Sequence, residues 1–150
     1  MPQFSFPHDF IHHFPNISCH NSKPTSPVKN EYNCIAWAYG VDDIWFWPDP
    51  DKQYYWPDTI SRNEDIATFI ELFKSIRYVV CENSNLEYGY QKIAIYIRDG
   101  VPTHAARQLP DGKWTSKLGP NIDIEHDTLD CLDGPAYGKS GVIMKRPIGF

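Results

Sequence analysis

No two of the four cysteines, Cys19, Cys34, Cys81 and Cys131, stand at C-x-x-C spacing, which removes the thiol pair that structural zinc sites and dithiol redox motifs use. Unpaired thiols are expected to stay reduced in a cytosolic setting, because a chain of 150 residues can build a core without disulfides. Long apolar runs are absent too. Nothing approaches the roughly 20 residues of a membrane-crossing helix, and the opening MPQFSFPHDF lacks the charged start and apolar centre of a secretory signal. The expectation is a chain that is cytoplasmic as synthesised and has no membrane partner. Basic clusters are missing as well: 14 Lys and Arg stand against 19 Asp and Glu, a net charge of -5. No surface is set to neutralise a run of phosphates, so nucleic acid is not an expected partner. There is no internal repeat and no low-complexity tract.

What is abundant is aromatic and proline. Aromatics make up 15% of residues and prolines number 13, which predicts much irregular loop pinned down by large rings. Residues 1–29 carry five prolines and no periodic apolar pattern, and are expected to form an extended arm ahead of a single domain at 30–150. His12, His13, Cys19 and His20 in that arm invite a metal reading, but their loop spacing and mixed ligand set favour an ordinary surface arm. No metal or cofactor is expected.

NCIAWAYG predicts a short helix opened by Asn33 as cap and closed by Gly40, with Cys34 in the first turn. The following DDIWFWPDPDKQYYWPD holds three tryptophans and three prolines and reads as an aromatic loop folded over something. SRNE at 61–64 has the form of a capping box ahead of Ile66, Phe69, Ile70, Phe73 and Ile76 at helical spacing. RYVVCE then predicts a strand at 77–82 with Cys81 in the core. In the second half, runs at 91–97, 101–109 and 113–119 are separated by RDG and PDG turns, which favour antiparallel hairpins. DTLDCLDG suggests a short helix and SGVIMKR a last strand. Helices first and an antiparallel sheet after them predict the α+β class.

GPAYGKS at 134–140 has three residues between its glycines where a phosphate loop needs four, so it reads as a turn. Cys34 is different. A thiolate is stabilised in the first turn of a helix, where unpaired N–H groups and the positive dipole end point at the sulfur. A nucleophilic thiol also needs a base, and His104 in PTHAARQL lies on a predicted strand beside the small residues Ala105 and Ala106. LPDGK fits a three-residue loop closed by Leu109 and Lys113, which sets Gln108 opposite Trp114 and Ala106 opposite Ser116. Alternation then puts His104, Trp114 and Ser116 on one face, with Ser116 placed to hold the ring nitrogen turned away from the sulfur. A two-residue loop would instead bring Thr115 and Lys117 to that face and leave the imidazole to Asn121 or Asp123. His126 in DIEHDT is the rival base.

A cysteine opening a helix, a later histidine on the second strand of an antiparallel sheet and a polar residue on the next strand resemble papain-like cysteine hydrolases. The closest likeness is to the compact NlpC and CHAP amidases. The string carrying NCIAWA, HAARQL and WTSKLG also looks like an uncharacterised bacterial domain family. The resemblance implies a papain-like fold with N-terminal helices on the sheet, a catalytic set of Cys34, His104 and Ser116, and an oxyanion donor in Asn33 or the Cys34 backbone N–H. It also implies a peptide, protein or peptidoglycan-like amide substrate, and is compatible with an effector or toxin exported by a specialised route. The aromatic segment is expected to wall the cleft over Cys34, with Trp37, Trp45, Trp47, Trp56 and Trp114 as its rings. Peptidase, amidase and deamidase chemistry use the same parts and stay open. The competing reading is an inactive papain-like module whose segment 45–56 grips a partner.

Overall fold

The computed structural model describes residues 10–148. In chain order they form α1 (Phe10–His13), β1 (Ser22–Pro24), α2 (Cys34–Tyr39), α3 (Ile66–Lys74), β2 (Val79–Cys81), β3 (Tyr90–Arg98), β4 (Val101–Gln108), β5 (Trp114–Lys117), β6 (Asp123–His126), a 3-10 turn (Leu129–Leu132) and β7 (Lys139–Pro147). All seven strands belong to one sheet of order β1-β6-β5-β4-β3-β7-β2, and every pairing is antiparallel. This corrects the α+β, papain-like expectation of helices packed on a sheet: the chain is mostly β, and the longest helix among the described residues has nine residues. Gly40 ends α2 and α3 stops at Ser75, and two segments not read as strands, 22–24 and 123–126, pair with each other and enter the sheet. The arm at 1–29 is therefore partly a strand, while its first nine residues lie outside the described residues.

Side chains alternate across β3, so Ile93 and Ile95 face α2, α3, Phe46 and Trp56, whereas Ala94 and Tyr96 face Phe14, Ile17, Leu129 and Leu132. Both faces are covered. That is why KIAIYI is apolar nearly throughout, and Ile93 to Tyr96 are fully buried. The helix starts divide. Asn33 caps α2 through Ala36 N–H and Gly40 ends it at φ 111, as the sequence predicts. In α3 the cap is Asp65, whose carboxylate accepts from Thr68 N–H at 2.9 Å, and not Ser61. Asp65 directly precedes the first helical residue, so it reaches the free N–H groups that Ser61, four residues earlier, cannot. Cys81 is also corrected, from core to a partly exposed position on the edge strand β2.

The hairpin after β4 has the expected three-residue loop. Leu109 N–H donates to Lys113 O at 2.7 Å, Gly112 takes φ 92, and Gln108 stands opposite Trp114. This register brings Ser116 to the face of β4 that carries His104.

Candidate functional site

Asn33 does more than cap. Its Oδ1 accepts from Ala36 N–H and Phe46 N–H, both at 3.1 Å, while its Nδ2 donates to Phe46 O at 2.6 Å. The start of α2 is thereby tied to the aromatic segment, with both the oxygen and the nitrogen of the Asn33 amide engaged in holding it.

Cys34 is the first residue of α2 and is 5% exposed. Burial pushes its thiol up to about 11, against the pull of the Ala105, Ile35 and Cys34 backbone N–H groups and the charge of Lys117. The resting sulfur is thus a neutral thiol ringed by amide donors. Lys117 is itself buried, and its Nζ donates to Lys29 O and Gly119 O, each at 2.5 Å, and stands 4.9 Å from the centre of the Tyr32 ring. Tyr32 in turn donates to Asp123, at 2.7 Å to the nearer oxygen. Asp123 therefore belongs to a buried Tyr32–Asp123–Lys117 group on the α2 side and does not orient His104. Nor does Asn121, whose Oδ1 accepts from Ile122 N–H.

Ala105, paired with Ile95, packs with Cys34 on the α2 side, while His104, paired with Tyr96, points to the other side of the sheet. There the imidazole is fully buried, stacked on Tyr137 at 4.1 Å and edge-on to Tyr96 at 5.2 Å. It has no open space around it, contrary to expectation. His104 Nε2 is 2.9 Å from Ser116 Oγ, and the same oxygen is 2.8 Å from His126 Nε2. His126 Nδ1 meets Thr128 O at 2.9 Å. Burial holds both imidazoles below their usual range, His126 at about 4, and the charge of His126 opposes a charge on His104 as well.

His104 Nδ1 is buried and has no hydrogen-bond partner among the described residues. The expected Cys34–His104 hydrogen bond is consequently not made in this state. The sulfur nonetheless meets the backbone of β4 next to His104, since the Ala105 N–H that acts on it belongs to the peptide bond following His104.

The five tryptophans do not form one wall. Trp37 donates from Nε1 to Thr115 Oγ1 at 2.9 Å and lies under the Arg107 guanidinium, and Trp45 packs on Tyr54. Trp47 and Trp56 both meet Phe69 of α3, at 5.3 Å and 5.5 Å, and Trp114 lies on the His104 side of the sheet. A cavity of about 940 Å³ opens elsewhere, lined by Arg77, Leu86, Tyr88, Gln108 and Arg146 among others, and by none of Cys34, His104 or Ser116. Among the described residues no three metal-ligating side chains converge.

The sequence reading did not assign Tyr137, Lys117 or His126 to this arrangement. Tyr137 sat in a stretch read only as a turn, and His126 was weighed as a competing base rather than as a partner of Ser116. Residues 23–145 match a protein family described as a domain of unknown function, DUF7689, and the chain belongs to that family. No curated protein and no solved structure matches the chain.

Proposed function

We propose that this chain is a cysteine-dependent amide hydrolase or acyl transferase in which Cys34 is the nucleophile and His104 the base. The observation that carries this reading is the state of the His104 ring: one nitrogen is anchored to Ser116 while the other is buried, unpartnered and available for a proton. The amide N–H groups around Cys34 Sγ support it, because the donors of Cys34 and Ile35 that face the sulfur can face the oxyanion of a substrate carbonyl bonded to it.

The sulfur is enclosed and the imidazole faces the other side of the sheet, so the reaction requires a rearrangement in which the elements over Cys34 part and the His104 ring comes around β4 into contact with the thiol. The thiol proton then passes to His104 Nδ1 as sulfur bonds to the carbonyl carbon. The imidazolium returns that proton to the leaving nitrogen, and the C–N bond breaks to leave a thioester. Water, losing a proton to His104, or an amine then attacks the thioester and releases the thiol. Peptide, protein and peptidoglycan-like amides all fit this scheme.

A thiol held near 11 is about 10⁻⁴ ionised at pH 7. Carboxamidomethylation of Cys34 by iodoacetamide at pH 7, followed by mass spectrometry of its peptide, is expected to outrun that fraction of thiolate. It is also expected to fall at least about tenfold in His104→Asn. Equal rates in the two folded proteins would overturn the proposal.

The enclosed thiol favours a second reading, a binding module in which Cys34 is core and a ligand occupies the separate cavity beside Arg77 and Arg146. Indifference of Cys34 labelling to His104→Asn would speak for it.

A further inference from the structure

Thr128 O, His126, Ser116 and His104 form a row of hydrogen bonds whose direction follows from its first member. A carbonyl oxygen can only accept, so His126 Nδ1 carries the hydrogen. A neutral imidazole has one N–H, so His126 Nε2 is a bare acceptor and the Ser116 hydroxyl must donate to it. Having spent its hydrogen, Ser116 Oγ accepts from His104, whose Nε2 must therefore be protonated. His104 Nδ1 is then left with a lone pair and no proton.

We infer that His126 is a positioning residue: acting through Ser116, it fixes the tautomer of His104 so that the unpartnered Nδ1 is presented as a proton acceptor. The inference rests on the proposed role of His104 as base, and it gives a buried relay a task that orienting the ring alone would not need. A hydroxyl by itself sets no direction, because it both donates and accepts and can turn. Without His126, Ser116 is free to donate to His104 Nε2, which moves the imidazole proton to Nδ1 and removes the base. The burial that keeps His126 neutral near pH 7 keeps the direction constant. Two further contacts hold the ring itself: the stacked Tyr137, and Thr103, which donates to the Tyr137 carbonyl at 2.6 Å from a bulge in the β3–β4 pairing.

The test is long-range proton–nitrogen NMR of the His104 ring at about pH 7, in the native chain and in His126→Gln and His126→Leu. Glutamine can donate to Thr128 O with its amide nitrogen and accept from Ser116 with its oxygen, so it preserves the direction of the row. Leucine cannot. The native chain and His126→Gln should show a bare Nδ1 and a protonated Nε2. His126→Leu should show the proton shared between the two nitrogens, with Cys34 alkylation at pH 7 slower by about tenfold or more. A proton on Nδ1 in the native chain would overturn the inference, as would an unchanged tautomer in folded His126→Leu. If that variant does not fold, Ser116→Ala replaces it and must likewise release the tautomer. Labelling of Cys34 that ignores His104→Asn, combined with the tautomer inferred here, would remove the catalytic reading and leave the relay standing.

Discussion

His126 is bonded through both ring nitrogens and has no surface open to water, so charging it in the folded chain means reversing the Ser116 bond in a buried site. Burial pushes its pKa down to about 4, more strongly than the Thr128 carbonyl, Asp127 and Glu125 pull it up. His104 is pushed down in the same way. Unfolded, both rings take a proton near 6.5. Below that value the unfolded chain binds protons that the folded chain refuses, so stability is complete above about pH 6.5 and is lost as pH falls toward 4. His126 alone accounts for about 3 kcal/mol of this loss. Urea melts at pH 7, 5.5 and 4 should show the decline, and His126→Gln should flatten part of it. A stability that does not change over this range would contradict the buried neutral pair. At this scale the sequence was informative where chemistry is local: a polar residue two pairs along from His104 could be placed by register alone. It was uninformative about the third group, because β6 is a four-residue strand whose polar ends hide its alternation.

Among the elements, α2 and the turn at 134–138 do the most to shape the site. Asn33 holds three hydrogen bonds, one capping the helix at Ala36 and two joining its start to Phe46, and Asn33→Ala should cost about 2 to 4 kcal/mol, read as a lower denaturation midpoint. This start was legible because a cap and a terminating glycine act within a few residues. The same logic misplaced the start of α3, because the SRNE pattern drew the cap to Ser61 while the residue directly before the helix, within reach of its free N–H groups, is Asp65. The turn carrying Tyr137 is held by paired glycines, Gly134 and Gly138. A Cβ at Gly138 would lie 2.2 Å from Ile97 O, and the position has φ 75. Gly138→Ala should therefore destabilise by about 2 kcal/mol or more and move the Tyr137 ring off His104, visible as shifted His104 ring resonances. No property of the sequence marks that glycine apart from the others, since the crowding comes from β3, some forty residues earlier in the chain.

For the molecule as a whole, the expectation of helices on a sheet failed because two strands come from segments without strand-like composition, and because the helices among the described residues are at most nine residues long. The aromatic segment was misjudged for a related reason. Its rings look like a lid when read in order, yet Trp56 is 2% exposed and packs into the core shared with α3. Trp56→Ala should cost about 3 to 5 kcal/mol, whereas Tyr54→Ala, at a ring 43% exposed, should cost less than about 1 kcal/mol. Thermal melts of the two variants check this. A Trp56→Ala protein as stable as the native chain would return the segment to the role of a lid.

The claim that joins these scales is that Cys34 reacts by passing its proton to His104. It is tested most directly by the pH dependence of Cys34 alkylation in the native chain between about pH 6 and 9. Proton transfer from a neutral thiol to a neutral imidazole conserves net charge, so a base-assisted reaction has a rate independent of pH across this range. A buried thiol acting alone, with its pKa near 11, instead reacts about tenfold faster for each unit of pH. A flat profile is the result predicted here, and a slope of about one in the logarithm of the rate would contradict it.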